Sequence, residues 1–167
     1  VGEIGWENIN LGGNDPIGEA HQDFQKKLLL LKKSGIQLAI VSKNEESVAL
    51  KAIEKNNQMI LKKKDFVSIM INWDDKAKNI VKISKKLNLG LDSFVFFDNS
   101  EFERKNVQSQ LPEILTPDLI DGPLEYVNIL NSLKCFDNFS VTKEDKIRTK
   151  LYEENSRREK LLKTTKD

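Results

Sequence analysis

Ser93-Phe94-Val95-Phe96-Phe97-Asp98-Asn99-Ser100 is a short, almost wholly apolar run that ends on a carboxylate and an amide. Such a run, bounded by polar residues, predicts a buried strand of a parallel sheet with both faces covered by helices. In open α/β sheets, ligands bind beyond the carboxyl ends of the strands. Asp98 and Asn99 therefore stand where a site is expected. A carboxylate closing so apolar a strand needs a partner or a metal to offset its desolvation.

Working outward from this strand, the chain alternates between the two periodicities. Asp15-Pro16 supplies a capping residue followed by a first-turn proline. Ala20, Phe24, Leu28 and Leu31 then recur at helical spacing until Gly35. Ile36 to Val41 reads as a buried strand that leaves into Ser42-Lys43-Asn44. Glu45 and Glu46 open the next helix, whose inner face is Val48, Ala49, Ala52 and Ile53. Val67 to Ile71 is a third strand, leaving into Asn72-Trp73-Asp74-Asp75-Lys76. Ala77, Ile80, Ile83 and Leu87 form a helix ended by Asn88 and Gly90. Beyond the opening stretch come a helix over about 100–111, a short strand over 113–116 and a helix over 123–133. Alternation from 16 to 134 predicts an α/β fold, a doubly wound parallel sheet with right-handed crossovers.

The flanks differ. Residues 1–15, with Gly2, Gly5, Gly12 and Gly13, read as a loop of irregular structure or a small hairpin. Residues 135–167 read as a polar helical extension or linker with few apolar positions. The first residue is Val1 and the opening reads like the middle of a loop, so the chain reads as an internal piece of something longer.

Composition narrows the chemistry. In 167 residues, 32% charged, the formal net charge is only +1, which argues against a general nucleic-acid grip. Lys62-Lys63-Lys64 reads as a solvated loop or helix end. No apolar run approaches a membrane span, the longest being Leu28 to Leu31 between lysines. The single cysteine, Cys135, reads as a buried structural thiol; with no second cysteine there is no disulfide framework, which suits a reducing cytoplasm.

Three strand exits converge in this topology: Ser42-Lys43-Asn44, Asp75-Lys76 and Asp98-Asn99. A hydroxyl just ahead of a helix start binds a phosphate oxygen with backbone N–H groups and the helix dipole. A lysine supplies a point charge for the same anion. A carboxylate and an amide are hard oxygen donors suited to Mg²⁺. Each residue also has a plainer reading. Ser42 alone is a helix cap, and Lys76 alone is a surface charge on a lysine-rich helix.

The blocks Leu11-Gly12-Gly13-Asn14-Asp15-Pro16-Ile17-Gly18-Glu19-Ala20, Val41-Ser42-Lys43-Asn44-Glu45, Ile71-Asn72-Trp73-Asp74-Asp75-Lys76-Ala77 and Phe94-Val95-Phe96-Phe97-Asp98-Asn99, in this order, resemble the haloacid dehalogenase superfamily. More narrowly they resemble its IIIC subfamily, the FkbH-like proteins. Leu111-Pro112-Glu113 and Thr142-Lys143-Glu144-Asp145, with Arg148 and Tyr152, extend the likeness over nearly the whole chain. The resemblance implies a Rossmann-like core and Mg²⁺-dependent phosphoryl transfer through an aspartyl-phosphate. It implies Ser42, Lys43, Asn44 and Lys76 as phosphate-binding, with Lys76 also catalytic, and Asp98 and Asn99 as metal-binding. Its substrates are phosphorylated small molecules. FkbH-like members load a glyceryl unit from a phosphorylated glycerate onto an acyl carrier protein in polyketide-type biosynthesis. A plain small-molecule phosphatase and a non-catalytic phosphate-binding module are the competing expectations.

Two departures qualify the resemblance. The family's nucleophile lies in an Asp-x-Asp motif on the first, central strand, and no Asp-x-Asp occurs in this sequence. The expectation is a core missing that strand, with residues 1–15 as the remnant of the flap behind it, and a chain inactive alone. Asn99 stands where the family has a second aspartate, which removes a negative charge beside the metal.

Overall fold

The structure, a computed structural model, describes Leu11, residues 15–137, and residues 150, 151, 153–155 and 157. Helix α1 (Pro16–Lys33) starts as the sequence predicts: Asp15 Oδ2 accepts from the Gly18 N–H at 3.0 Å, with Pro16 in the first turn. It ends at Gly35, whose φ of 106° only glycine adopts cheaply. Gly35 N–H then donates to Lys32 O and Ile36 N–H to Leu31 O, satisfying carbonyls that the helix end leaves over.

β1 (Leu38–Ser42) pairs in parallel with β2 (Phe66–Ile71), with Ile40 opposite Ile69 and Ser42 opposite Ile71. Helix α2 (Glu46–Lys55) connects them through a 3-10 turn at Lys63–Asp65, which carries the lysine run. The Asn72 N–H donates to Ser42 O at 3.1 Å, so the two exits leave the sheet side by side. Helix α3 (Lys76–Leu87) follows and closes on Asn88 at φ 53°. Then come α4 (Glu101–Gln110), a 3-10 turn at Pro123–Glu125 and α5 (Tyr126–Ser132).

The opening stretch departs from expectation. Phe94 to Phe96 is extended, but it meets Leu115 through one parallel bridge at Val95 and does not join the β1–β2 ladder. Phe96 N–H donates to Leu115 O at 2.9 Å, and Leu115 N–H to Phe94 O at 3.2 Å. The strand predicted over 113–116 is likewise reduced to Leu115. Among the described residues the sheet is therefore two-stranded, and no hydrogen-bonded ladder links β1 to Phe94–Phe96. A strand is defined by its partners, and among the described residues each of these segments has one on a single side.

Helices supply what pairing does not. Ala77 and Ile80 of α3 pack with Phe96, Val107, Leu111 and Ile114, and Val41 and Phe94 lie against this cluster. On the other side α1 packs against α5, with the Phe24 ring 5.7 Å from that of Tyr126 and 5.6 Å from that of Phe97. Cys135 is exposed, contrary to the sequence reading, because α5 ends at Ser132 and the next turn carries the cysteine out of the helical pattern. Residues 150, 151, 153–155 and 157 are helical and exposed. The predicted loop over 1–15 and the segment Thr142-Lys143-Glu144-Asp145 lie almost wholly outside the described residues. No helix among the described residues is long and apolar enough to cross a membrane.

Candidate phosphate and metal site

Ser42, Lys76, Asp98 and Asn99 are the polar lining of one cavity of about 290 Å³. Phe24, Val41, Phe97, Leu119 and Tyr126 line the rest of it. The three strand exits thus come together through Ser42 of β1, Lys76 of α3 and Asp98 and Asn99 at the end of the Phe94–Phe97 run, while Lys43 and Asn44 do not line the cavity.

Lys76 is the first residue of α3, and its position is fixed by the residue before it. Asp75 caps the helix, its Oδ1 accepting from the Ala77 N–H at 2.7 Å. Asp75 Oδ2 also accepts from Asn106 Nδ2 at 2.9 Å and Gln110 Nε2 at 3.3 Å, tying α3 to α4. The Asn106 amide holds the Asp75 carboxyl below the usual carboxylate range, with the Ala77 N–H adding to it against the opposing effect of burial. Lys76 Nζ meets Asp98 Oδ2 at 2.5 Å, and the two side chains are 12% and 7% exposed. Asp98 Oδ1 accepts from the Ser100 N–H at 2.9 Å, and Asp98 O from Arg104 Nη1 at 2.9 Å. Arg104, buried despite its charge, reaches on to Asp118 Oδ1 at 2.9 Å.

Lys43 turns to α4 and donates to Glu103 Oε1 at 2.8 Å. That bond, reinforced by the charges of Glu103, Asp75 and Asp98, raises the Lys43 pKa and keeps it protonated. Asn44 Oδ1 accepts from the Glu45 N–H at 2.8 Å, a local turn contact. Burial pushes the Tyr126 phenol up, and Asp98 adds to this against Arg104, so the cavity wall presents a neutral hydroxyl.

Asp98 and Asn99 are oxygen donors of the kind Mg²⁺ takes, and the second lone pair of each Asp98 oxygen remains for a cation. Glu103 Oε2, at the same end of the sheet, is buried without a hydrogen-bond partner. The donor chemistry fits a hard divalent cation. It does not complete a shell: among the described residues no group of three or more histidine, cysteine, aspartate or glutamate side chains could hold a metal.

The sequence reading passed over Glu103, Arg104, Phe24 and Tyr126 as site residues. Arg104 and Glu103 lie in a helix too polar to show an inner face. The Ser100-x-x-Glu103 spacing was the available signal there.

No protein-family model and no curated protein matches the chain. Among solved structures it is similar to the N-terminal part of a Bacteroides fragilis protein containing a phosphatase domain, complexed with Mg. The identity is 41% and the TM-score 0.80, over 84% of this chain and 37% of that one. The chain therefore spans well under half of that solved chain, and over the matched part the two share one fold.

Proposed function

We propose that this chain forms the larger part of a Mg²⁺-dependent phosphoryl-transfer domain of the haloacid dehalogenase type, FkbH-like within it. The observation that carries the reading is the meeting of Ser42, Lys76 and Asp98, from three separate strand ends, at one cavity. The Mg-bound phosphatase domain in the similar structure supports it.

In this reading Ser42 Oγ donates to a phosphoryl oxygen, and Lys76 neutralises the charge that gathers on the phosphoryl group. Asp98 and Asn99 hold Mg²⁺. Bound Mg²⁺ supplies further neutralisation at the phosphoryl oxygens. The Lys76–Asp98 pair orients both groups beforehand, so that the lysine turns to the substrate anion and the carboxylate to the cation. The nucleophile is an aspartate of an Asp-x-Asp strand seated between β1 and Phe94–Phe97. Among the described residues each segment there has a partner on one side, and Val41 and Phe97 line the cavity. Its carboxylate takes the phosphoryl group from the substrate oxygen, and water then releases phosphate. The substrate is a phosphorylated three-carbon acid; for its acyl unit to reach an acyl carrier protein the carboxyl must itself carry a phosphoryl group, which the carrier thiol displaces as phosphate on forming the thioester, and the compartment is the reducing cytoplasm.

The test is hydrolysis of p-nitrophenyl phosphate with and without Mg²⁺. The 167-residue chain is expected to show none, and the full-length gene product to show Mg²⁺-dependent turnover that Lys76→Met abolishes. Turnover by the 167-residue chain would overturn the assignment of the nucleophile. Asn99 favours a second reading, a phosphate-binding module without catalysis; full-length protein that binds inorganic phosphate and never turns over would establish it.

A further inference from the structure

Asn79 lies on α3, one turn beyond Lys76, and is 1% exposed. Its neighbours on the inner face, Ile80 and Ile83, are apolar and as deeply buried. An amide there carries a desolvation cost that a leucine would not, and replacing a buried hydrogen-bonded pair by apolar groups is often neutral for stability. Holding the fold therefore does not account for Asn79. Its partner does. Asn79 Nδ2 donates to Asn72 Oδ1 at 2.7 Å, and Asn72 Nδ2 donates back to Asn79 Oδ1 at 3.4 Å.

Asn72 is the residue after β2, and it works in two directions. Its backbone N–H donates to Ser42 O at 3.1 Å, extending the β1–β2 ladder by one bond. Its Oδ1 also accepts from the Asp74 N–H at 3.0 Å, folding the turn that leads into α3. The path from Ser42 to Lys76 is thus hydrogen-bonded at each step: Ser42 O to the Asn72 N–H, the Asn72 amide to the Asn79 amide, and one turn of helix back to Lys76. No buried atom of either amide lacks a partner among the described residues. A fully paired buried network fixes one geometry where apolar packing tolerates several.

Resting on the site proposed above, we infer that Asn72 and Asn79 are positioning residues for phosphate binding. Their paired amides set the span from Ser42 to Lys76, so that the hydroxyl and the ammonium meet the same phosphoryl group. The Asp75 cap ties α3 to α4; the amide pair ties it to β2 and, through Asn72, to β1.

The affinity of the full-length gene product for inorganic phosphate, measured by titration calorimetry with Mg²⁺ present, tests this. In the unaltered protein Lys76→Met is expected to weaken binding about tenfold or more, since a hydrogen bond to a charged group is lost. Asn72→Leu with Asn79→Leu replaces both amides and leaves neither unpaired. This double variant is expected to keep its fold by circular dichroism and to bind phosphate about tenfold more weakly. Adding Lys76→Met to it is expected to cost less than about threefold more, because the lysine is already out of place. A pair that only fills the core predicts something else. Affinity in the double variant would stay within about twofold of the unaltered protein, or Lys76→Met would cost as much there as without it. Either result overturns the inference. Should the double variant fail to fold, Asn72→Ala, where water can replace the lost amide, takes its place with the same expectations. If the unaltered protein binds no phosphate, or Lys76→Met leaves its affinity unchanged, the proposed site falls and this inference with it. If Lys76→Met weakens binding and the amide variants change nothing, only the inference falls.

Discussion

β1 and β2 share a parallel ladder from Leu38 opposite Phe66 to Ser42 opposite Ile71, whereas Phe94–Phe96 holds Leu115 through a single bridge. Burial divides differently. In the ladder Leu38, Ser68 and Ile71 are buried at 8%, 5% and 6% exposure, while Ala39 is exposed and Ile40 and Val41 are half-buried. Around the bridge, Val107, Ile114 and Phe96 are 0%, 3% and 9% exposed. The pairing gathers at the ladder, and the buried apolar cluster gathers at the bridge. Backbone pairing and burial are thus supplied by different parts of the chain: the ladder orders β1 and β2, while α3 and α4 close over Phe96. The site lies where the two regions meet, and polar ties span them there: Lys76 to Asp98, Lys43 to Glu103, and Asp75 to Asn106.

The sharpest way to break this account is to cut the first of those ties. Lys76→Met leaves the Asp98 carboxylate buried and unpaired, and removing one partner of a buried pair typically costs about 3–5 kcal/mol. Urea unfolding at pH 7 should show a loss of that order, and Asp98→Leu in the same chain should recover most of it. A loss within the range of surface ion pairs, under about 1 kcal/mol, would mean that the tie does not hold the two regions together. Next in size is a pair of truncations. Ile114→Ala, in the buried region, should cost about 2–5 kcal/mol. Ile40→Ala, on the half-buried strand, should cost less than half as much as Ile114→Ala, because less surface leaves water there. Equal losses would show that β1 is as well covered as the bridge region.

The elements were legible wherever a local signal sufficed. Asp15-Pro16 and Gly35 bounded α1, Asn88 closed α3, and the β-branched runs marked β1 and β2 within two residues. That Ser42, Lys76, Asp98 and Asn99 line one cavity was legible too, from their places just past three apolar runs. What could not be read was partnership. The run Phe94–Phe97 says that it is buried and extended, but nothing in it says that Leu115 is its neighbour. Glu103 fits a capping box on spacing, and only the reach of Asp98 to the Ser100 N–H diverts it. Nothing in the sequence marks Arg104 as buried, because its partners, the Asp98 carbonyl and Asp118, lie outside any helical repeat. Cys135 read as buried by extending a periodicity that stops at Ser132.

The smallest effect expected is in acid, and it compares the two regions through one carboxylate in each. Asp65 belongs to the β1–β2 side: burial pushes its pKa up, but the Lys62 N–H and Lys32 outweigh this and hold it below the usual range. Asp75 belongs to the junction, lowered first by Asn106. A carboxyl whose pKa is lower folded than unfolded adds stability above its unfolded value, roughly 3.9, and loses it as the pH falls through the folded value. Urea midpoints should therefore hold between pH 7 and 5 as far as these two groups are concerned, and fall below about pH 4. Asp75→Asn and Asp65→Asn should each lower the midpoint at pH 7 and flatten its fall in acid. Asn106→Leu separates the two sites. Without its main donor, Asp75 should lose most of its share of the acid sensitivity, while the share belonging to Asp65 persists. If Asn106→Leu leaves the pH profile of the unaltered chain in place, Asp75 is held by its helix cap and Gln110, and the Asn106 bond does not position Lys76.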